Sequence, residues 1–336
     1  METKVDPVFY FNTYSHVTCL SFCALPVAKD DGEHTVLIIG DADGKLSQWD
    51  LKSKKLEKDI DFGMKETKHP ILWLCVIKTD NKISLVIQQR FSNTICLLEY
   101  TTGCWLQKNS ITINKHMGFC KGDNCLDSEL LFPSGESGFL VVKYNEPQLQ
   151  LEVVSSIMET KGSGTITALK FCDINNKYLI LSLFENGDIY GNRILKSCNQ
   201  YSIVSLCKLH CLPMTPLCVE FDDRKCQGII GGSENNVVSF ELNENCDSFV
   251  FRALKTRSIT TKGISSIVIR PDQKIVAAGS WDSTVKLFSW LKTEKLKPLG
   301  ALKFHSEGVE SVVSTNNSKL IAAGSKDGKV SFWNVY

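Results

Sequence analysis

The 336-residue sequence has no run of roughly 20 apolar residues, the length a helix needs to cross a bilayer. Its opening, Met1 to Asp6, is polar and no apolar stretch of signal-peptide length follows it. The expectation is therefore a protein without membrane contact, cytoplasmic and nuclear. An excess of one charge sign is also missing. Lys and Arg number 38 against 37 Asp and Glu, a formal net charge of +1, which argues against general nucleic-acid binding. No Gly-x-Ser-x-Gly elbow occurs, and Gly162-Ser163-Gly164 lacks the lysine and serine of a phosphate-binding loop. Neither Cys207-x-x-His210-Cys211 nor the His116, Cys120, Cys125 cluster has the two close pairs that zinc requires. No enzyme activity, cofactor or metal is expected. Cysteine, by contrast, is plentiful at 14 residues. Cys19, Cys75, Cys96, Cys172 and Cys218 lie in apolar runs, where a reduced thiol packs as a small hydrophobe.

What is present is a repeat. At intervals of 45 to 49 residues one slot recurs, held by Trp49, Leu98, Lys143, Asn192, Phe240, Phe288 and Trp333. Six residues before each stands a turn former: Asp43, Ser92, Ser137, Asn186, Glu234, Asp282 and Asp327. A period in the forties with strand chemistry in every unit predicts an all-β chain, a single seven-bladed β-propeller over residues 1–336. Each unit has an alternating first strand, such as Val17 to Phe22 or Val309 to Val313. A shorter, continuously apolar second strand follows, as in Ile275-Val-Ala-Ala278, the pattern of a strand buried on both faces. The third unit fits worst, because Gly118 to Glu129 carries glycines, charges and two cysteines where a first strand belongs. The seventh unit has only three strands of its own. Val8-Phe9-Tyr10-Phe11 has the makeup of a strand, so an N-terminal segment of about residues 8–14 is expected to complete it and close the ring.

His305, Ser325, Asp327 and Trp333 match the WD-repeat tetrad, in which aspartate, histidine, serine and indole form one buried hydrogen-bond chain. A Ser-His-Asp catalytic triad can be read from the same residues, but the serine lies on a repeat strand and not on an elbow. His16, His69 and His116 occupy the corresponding loop of earlier units.

Gly263 to Ile275, Ala278-Gly-Ser-Trp-Asp282 and Val285-Lys-Leu-Phe-Ser-Trp290 resemble the sixth blade of the guanine nucleotide-binding protein β-subunit-like protein 1 family, called ASTRA-associated protein 1 in fungi. Phe304-His-Ser306 and Ala322-Ala-Gly-Ser-Lys-Asp327 resemble its seventh blade. The resemblance implies a non-enzymatic scaffold acting with the TTT co-chaperone complex on the stability and maturation of phosphatidylinositol-3-kinase-like kinases. DNA-damage signalling and chromatin-associated work would follow from that. No heptad segment precedes the propeller, so pairing with a G-protein γ subunit is not expected, and the chain reads as a monomer. The rival reading is a substrate receptor of a cullin-type ubiquitin ligase. It is weakened because Trp49-Asp50 is followed by Leu51-Lys52, without the arginine such receptors often carry.

In WD-repeat proteins the residue just before the turn aspartate lies on the upper face, beside the central channel. By the six-residue spacing these are Ala42, Phe91, Glu136, Glu185, Ser233, Trp281 and Lys326. Trp281 and Phe91 are the expected protein-binding residues, with Lys326, Glu136 and Glu185 around them.

Overall fold

The computed structural model describes residues 6–26, 33–63, 69–79, 82–92, 94–114, 118–125, 129–145, 150–157, 164–197, 200–245, 248–261, 263–291 and 296–335. These residues contain strands and no helix, arranged as seven four-stranded antiparallel sheets. Blades one to six each take four strands consecutive in the chain. Blade seven is made from Val309–Ser314, Ile321–Ser325, Lys329–Trp333 and the N-terminal Phe9–Asn12. The seven-bladed propeller expected from the repeat is what the chain forms.

Burial follows the sequence pattern. Second strands such as Ile275–Ser280 and Ile321–Ser325 are buried at every residue, because their sheet faces are both covered by neighbouring blades. Glycines set how close those neighbours come. A Cβ on Gly324 would lie 2.3 Å from Val17 Cγ1, and one on Gly279 would lie 2.8 Å from Val309 Cγ1. Each of these valines opens the first strand of the following blade. The small residues therefore receive the next blade's β-branched side chain, and at Gly324 that next blade is the first one.

Ring closure is carried by aromatics. Phe9, Tyr10, Phe11 and Asn12 pair with Phe332, Ser331, Val330 and Lys329. The Phe9 ring stacks on Phe332 with centroids 4.2 Å apart. Phe11 is buried between Phe332, edge-on at 4.8 Å, and Trp49 of blade one, stacked at 4.6 Å. One strand thus finishes blade seven and packs against blade one.

Blade three differs. Its first strand is only Asp123–Asn124, paired with Leu131 and Leu130. Side chains of blade two hold the remainder of that edge. The Gln88 amide donates to Cys120 O at 3.1 Å and accepts from Gly122 N–H at 2.8 Å, which satisfies buried backbone groups that a longer ladder would have paired. The Trp73 indole lies so close over Gly122 that a Cβ there would sit 2.9 Å from it. On the other side, Asp123 accepts Phe171 N–H at 2.8 Å and the Lys170 ammonium at 3.1 Å, and Glu220 of blade five lies 3.4 Å from the same ammonium. Burial disfavours the charge on Lys170, but the two carboxylates outweigh it and raise its pKa above the ordinary lysine value.

Cys19, Cys23, Cys75, Cys96, Cys120 and Cys172 are buried free thiols. Burial pushes the Cys19, Cys23 and Cys75 thiols up to about 12, which leaves them as packing groups rather than nucleophiles.

Candidate functional site

Two constellations stand out, one inside blade seven and one on the upper face. In blade seven, Asp327 accepts from His305 Nδ1 at 3.2 Å and from Ser306 N–H at 3.0 Å. His305 Nε2 meets Ser331 Oγ at 2.8 Å, and Trp333 Nε1–H donates to the same oxygen at 2.8 Å. The serine of the chain is therefore Ser331, not Ser325. Ser325 Oγ instead donates to Glu307 O at 2.9 Å and accepts Asp327 N–H at 3.2 Å, shaping the turn. The reason is strand alternation: residues two apart share a face, so Ser331 and Trp333 look the same way. Blade one repeats the pair, with Trp49 Nε1–H donating to Ser47 Oγ at 2.9 Å. A Ser-x-Trp spacing in both units was the available signal.

These partners fix the protonation pattern. Ser331 Oγ accepts the indole proton, so its own hydrogen goes to His305 Nε2, and His305 Nδ1–H faces the carboxylate. Burial lowers the His305 pKa below its ordinary value, against the pull of Asp327, and keeps the ring neutral. Asp327 is itself held below the ordinary carboxylate range: the donors Ser306 N–H, His305 and Lys329 N–H outweigh its burial. Asp327, His305 and Ser331 have the connectivity of a hydrolytic triad, yet Ser331 is fully buried with its oxygen engaged by the indole. The arrangement locks a turn onto a strand.

Blades one and six do not repeat the chain. His16 is exposed, and in blade one the buried Asp41, not Asp43, accepts the turn N–H groups of Asp43 and Lys45. In blade six Asp282 accepts from Thr261 Oγ1, Thr284 N–H and Lys286 Nζ, with no histidine involved. His116 lies outside the described residues.

On the upper face a single backbone bond recurs in every blade. The residue that follows the second strand donates its N–H to a carbonyl in the loop leading into the same blade. The seven pairs are Ala42 to His16, Arg90 to Pro70, Gly135 to Asn114, Glu185 to Thr165, Ser233 to Thr215, Trp281 to Gly263 and Lys326 to Gly308, at 2.8 to 3.3 Å. Five of these donors are the residues expected from the six-residue spacing. Two are not. In blade two Arg90 holds the position assigned to Phe91, because Gln88 pairs across the turn with Ile95, one residue further on than Gly40 with Leu46 in blade one, and Phe91 in that turn has a φ of 61°. In blade three Gly135 holds the position assigned to Glu136. There Val142, not Lys143, fills the slot: it pairs with Leu130 of the second strand, as Asn192 pairs with Ile180 in blade four. Glu136 and Glu185 are exposed but do not reach the channel mouth.

At that mouth lies a cavity of about 460 Å³. Trp281, Phe119, Leu72, Pro70 and Ala42 give it apolar walls, and Arg90, Lys121, Lys326 and Glu310 supply its charges. Lys121, Leu217 and Ser265 separate it from a second cavity of about 360 Å³ running down the channel between all seven blades. Trp281 is 46% exposed, although one face of its indole is covered. Gly263, at a φ of 92°, lies so close beneath the ring that a Cβ would meet it at 2.0 Å. The side chain is thus both seated on its own blade and open to a partner. Phe119 is 59% exposed and comes from the irregular entrance of blade three, where the sequence promised a strand and supplied a loop. Phe91 does not line the cavity; it lies against the Arg90 guanidinium, 4.2 Å from its ring centroid. Lys326 is paired with Glu310 at 3.0 Å.

Among the described residues, no group of three or more His, Cys, Asp or Glu side chains is placed to hold a metal, and no helix is long and apolar enough to cross a membrane.

Comparison with known proteins agrees with this architecture. The WD domain, G-beta repeat family matches residues 252–289 and 296–334, which are blades six and seven with the strand that precedes them. Mouse guanine nucleotide-binding protein subunit beta-like protein 1 is 25% identical over 305 residues, covering 88% of this chain and 85% of that protein. The β-propeller domain of Myceliophteria thermophila Cps50 (Swd1) superposes with a TM-score of 0.70 over 98% of this chain and 99% of that one. At 13% identity that likeness shows the fold alone. Blades six and seven thus carry WD repeats, and the chain is similar along most of its length to that mouse protein.

Proposed function

We propose that this protein is a non-enzymatic adaptor that docks a partner protein on its upper face. One observation carries the reading: a half-exposed tryptophan, Trp281, stands at the rim of an apolar cavity opening on that face. Aromatic side chains exposed beside a concave apolar surface are enriched among interface hot spots, and a docked partner would cover them. The blade-seven network is used up in holding the fold. The family resemblance supplies the partner class: the TTT co-chaperone complex and the phosphatidylinositol-3-kinase-like kinases, with a role in kinase stability and through it in DNA-damage signalling. The ubiquitin-ligase alternative has less behind it, since the Asp50 carboxylate turns back to accept Lys52 and Ser53 N–H and no arginine follows it. Affinity purification with mass spectrometry, on wild type and Trp281→Ala, tests the proposal. Co-chaperone subunits and kinases should be recovered with wild type and depleted with the variant, at an unchanged melting temperature. Equal recovery would overturn the docking face, and cullin adaptors in their place would overturn the partner class.

A further inference from the structure

The upper-face cavity carries more than an apolar anchor, because one of its cations, Arg90, is half-buried and in no ion pair among the described residues, with Glu310 acting on it only at longer range. The Arg90 guanidinium carbon lies 3.3 Å from the ring centroid of Phe119 and 4.2 Å from that of Phe91, so two aromatic side chains frame it. Among the described residues no carboxylate forms an ion pair with it, and its buried Nε has no hydrogen-bond partner. Glu310, the carboxylate lining the same cavity, is occupied by Lys326. Lys121 adds a second positive charge at the cavity floor. A guanidinium stacked on rings keeps its in-plane N–H donors, and such a fork matches a carboxylate with two parallel hydrogen bonds. Burial disfavours the Arg90 charge and Glu310 offsets this only in part, so an arriving anion would relieve a cost that the free protein bears.

We propose that the upper face of this protein recognises a linear segment of a partner protein in which an acidic side chain pairs with Arg90 while a bulky apolar side chain nearby fills the cavity against Trp281 and Phe119. The inference rests on the docking face proposed above and adds the chemistry of the occupant. Charge complementarity selects a peptide over a nucleic acid, because among the described residues the mouth offers two cations outside any ion pair, Arg90 and Lys121, beside an apolar wall and not a basic track. The carboxylate belongs to a side chain within the segment. Recognition of a free chain terminus is the competing source that the experiment separates.

The experiment uses the full chain and a phage-displayed library of random 12-residue segments. Enriched sequences are then synthesised with blocked ends and their affinities measured by fluorescence anisotropy. Enriched segments should carry Asp or Glu within about three residues of Phe, Leu, Ile, Met or Trp. Arg90→Ala should weaken them by on the order of tenfold to a hundredfold, the usual loss when a charged hydrogen-bonded pair is broken. Trp281→Ala should also weaken them, and added salt should act on wild type more than on Arg90→Ala. Enrichment of neutral or basic sequences, or binding that survives only with a free C-terminus, overturns the proposal. So does a nucleic acid displacing the peptide at the same site. Loss of binding with Trp281→Ala but not with Arg90→Ala overturns the acidic partner and leaves the docking face standing. Indifference to both substitutions, or no enrichment at all, removes both. If Arg90→Ala does not fold, Arg90→Gln keeps the stem and removes the charge, and the same outcomes are read from it.

Discussion

Blades three and seven solve the same packing problem with opposite means. Blade seven has three well-formed strands of its own, a fourth from the N-terminal segment, and a side-chain network sealing turn to strand. Blade three has four strands in sequence order, but the innermost has shrunk to Asp123–Asn124 and is held by Gln88, Trp73 and Lys170 from its neighbours. The difference is one of where the partners come from. Blade seven depends on a segment remote in sequence, whereas blade three depends on the two blades beside it. In exchange blade three has an entrance free of ladder constraints, and that entrance delivers Phe119 and Lys121 to the channel mouth.

Deleting residues 1–14 is the strongest way to break the comparison. It removes the outer strand of blade seven, uncovers Trp49 and Phe332, and exposes a sheet edge. Loss of a buried phenylalanine side chain alone costs about 3–5 kcal/mol, and Phe11 is one of several groups lost. The truncated chain should fail to show a cooperative thermal transition. A truncated chain that melts like the full one would mean that closure does not depend on this strand.

Gln88→Ala is the corresponding cut at blade three, and a smaller one. It leaves Gly122 N–H and Cys120 O without their amide partner, for an expected loss of about 1–3 kcal/mol by chemical denaturation. Hydrogen exchange should rise at residues 120–125 and stay unchanged in blade seven. A uniform rise over all blades would show that blade three is not a separately weakened unit.

The two blades also differ in how far the sequence betrayed them. Blade seven was legible almost completely, because its turn aspartate, loop histidine and slot tryptophan keep fixed spacings. Only the serine was misassigned, through neglect of the two-residue alternation that puts Ser331 and not Ser325 beside Trp333. In blade three the six-residue spacing is off by one, because Val142 and not Lys143 holds the slot. In blade two the extra turn residue puts Arg90 where the spacing points to Phe91. Turn length is set by backbone conformation, here a left-handed Phe91, and a count of residues back from the slot does not register it. The mouth was the least visible feature. Phe119 and Lys121 lie in the one stretch with no periodicity, and the sole hint was that a strand was missing where they occur.

Proton linkage gives the smallest and most selective test, because His305 belongs to blade seven alone. Its folded pKa is lowered by burial from an ordinary value of 6.5. The unfolded chain therefore takes up a proton near that pH which the folded ring resists. The contribution is complete above about 6.5 and is lost as the pH falls toward the folded value. Asp327 adds a further loss below its ordinary value of 3.8, since its folded pKa is lowered too. Glu220, beside blade three, has a pKa raised by burial and gives the opposite slope just above the ordinary carboxylate range. That slope is common to wild type and to a His305→Gln variant, so the difference between their curves isolates the histidine. The variant should be less stable at pH 7.5, and the gap in melting temperature should narrow steadily as the pH is lowered to 5.5. Parallel curves across that range would mean that His305 is not held neutral inside blade seven, and the directed chain from Trp333 to Asp327 would have to be redrawn.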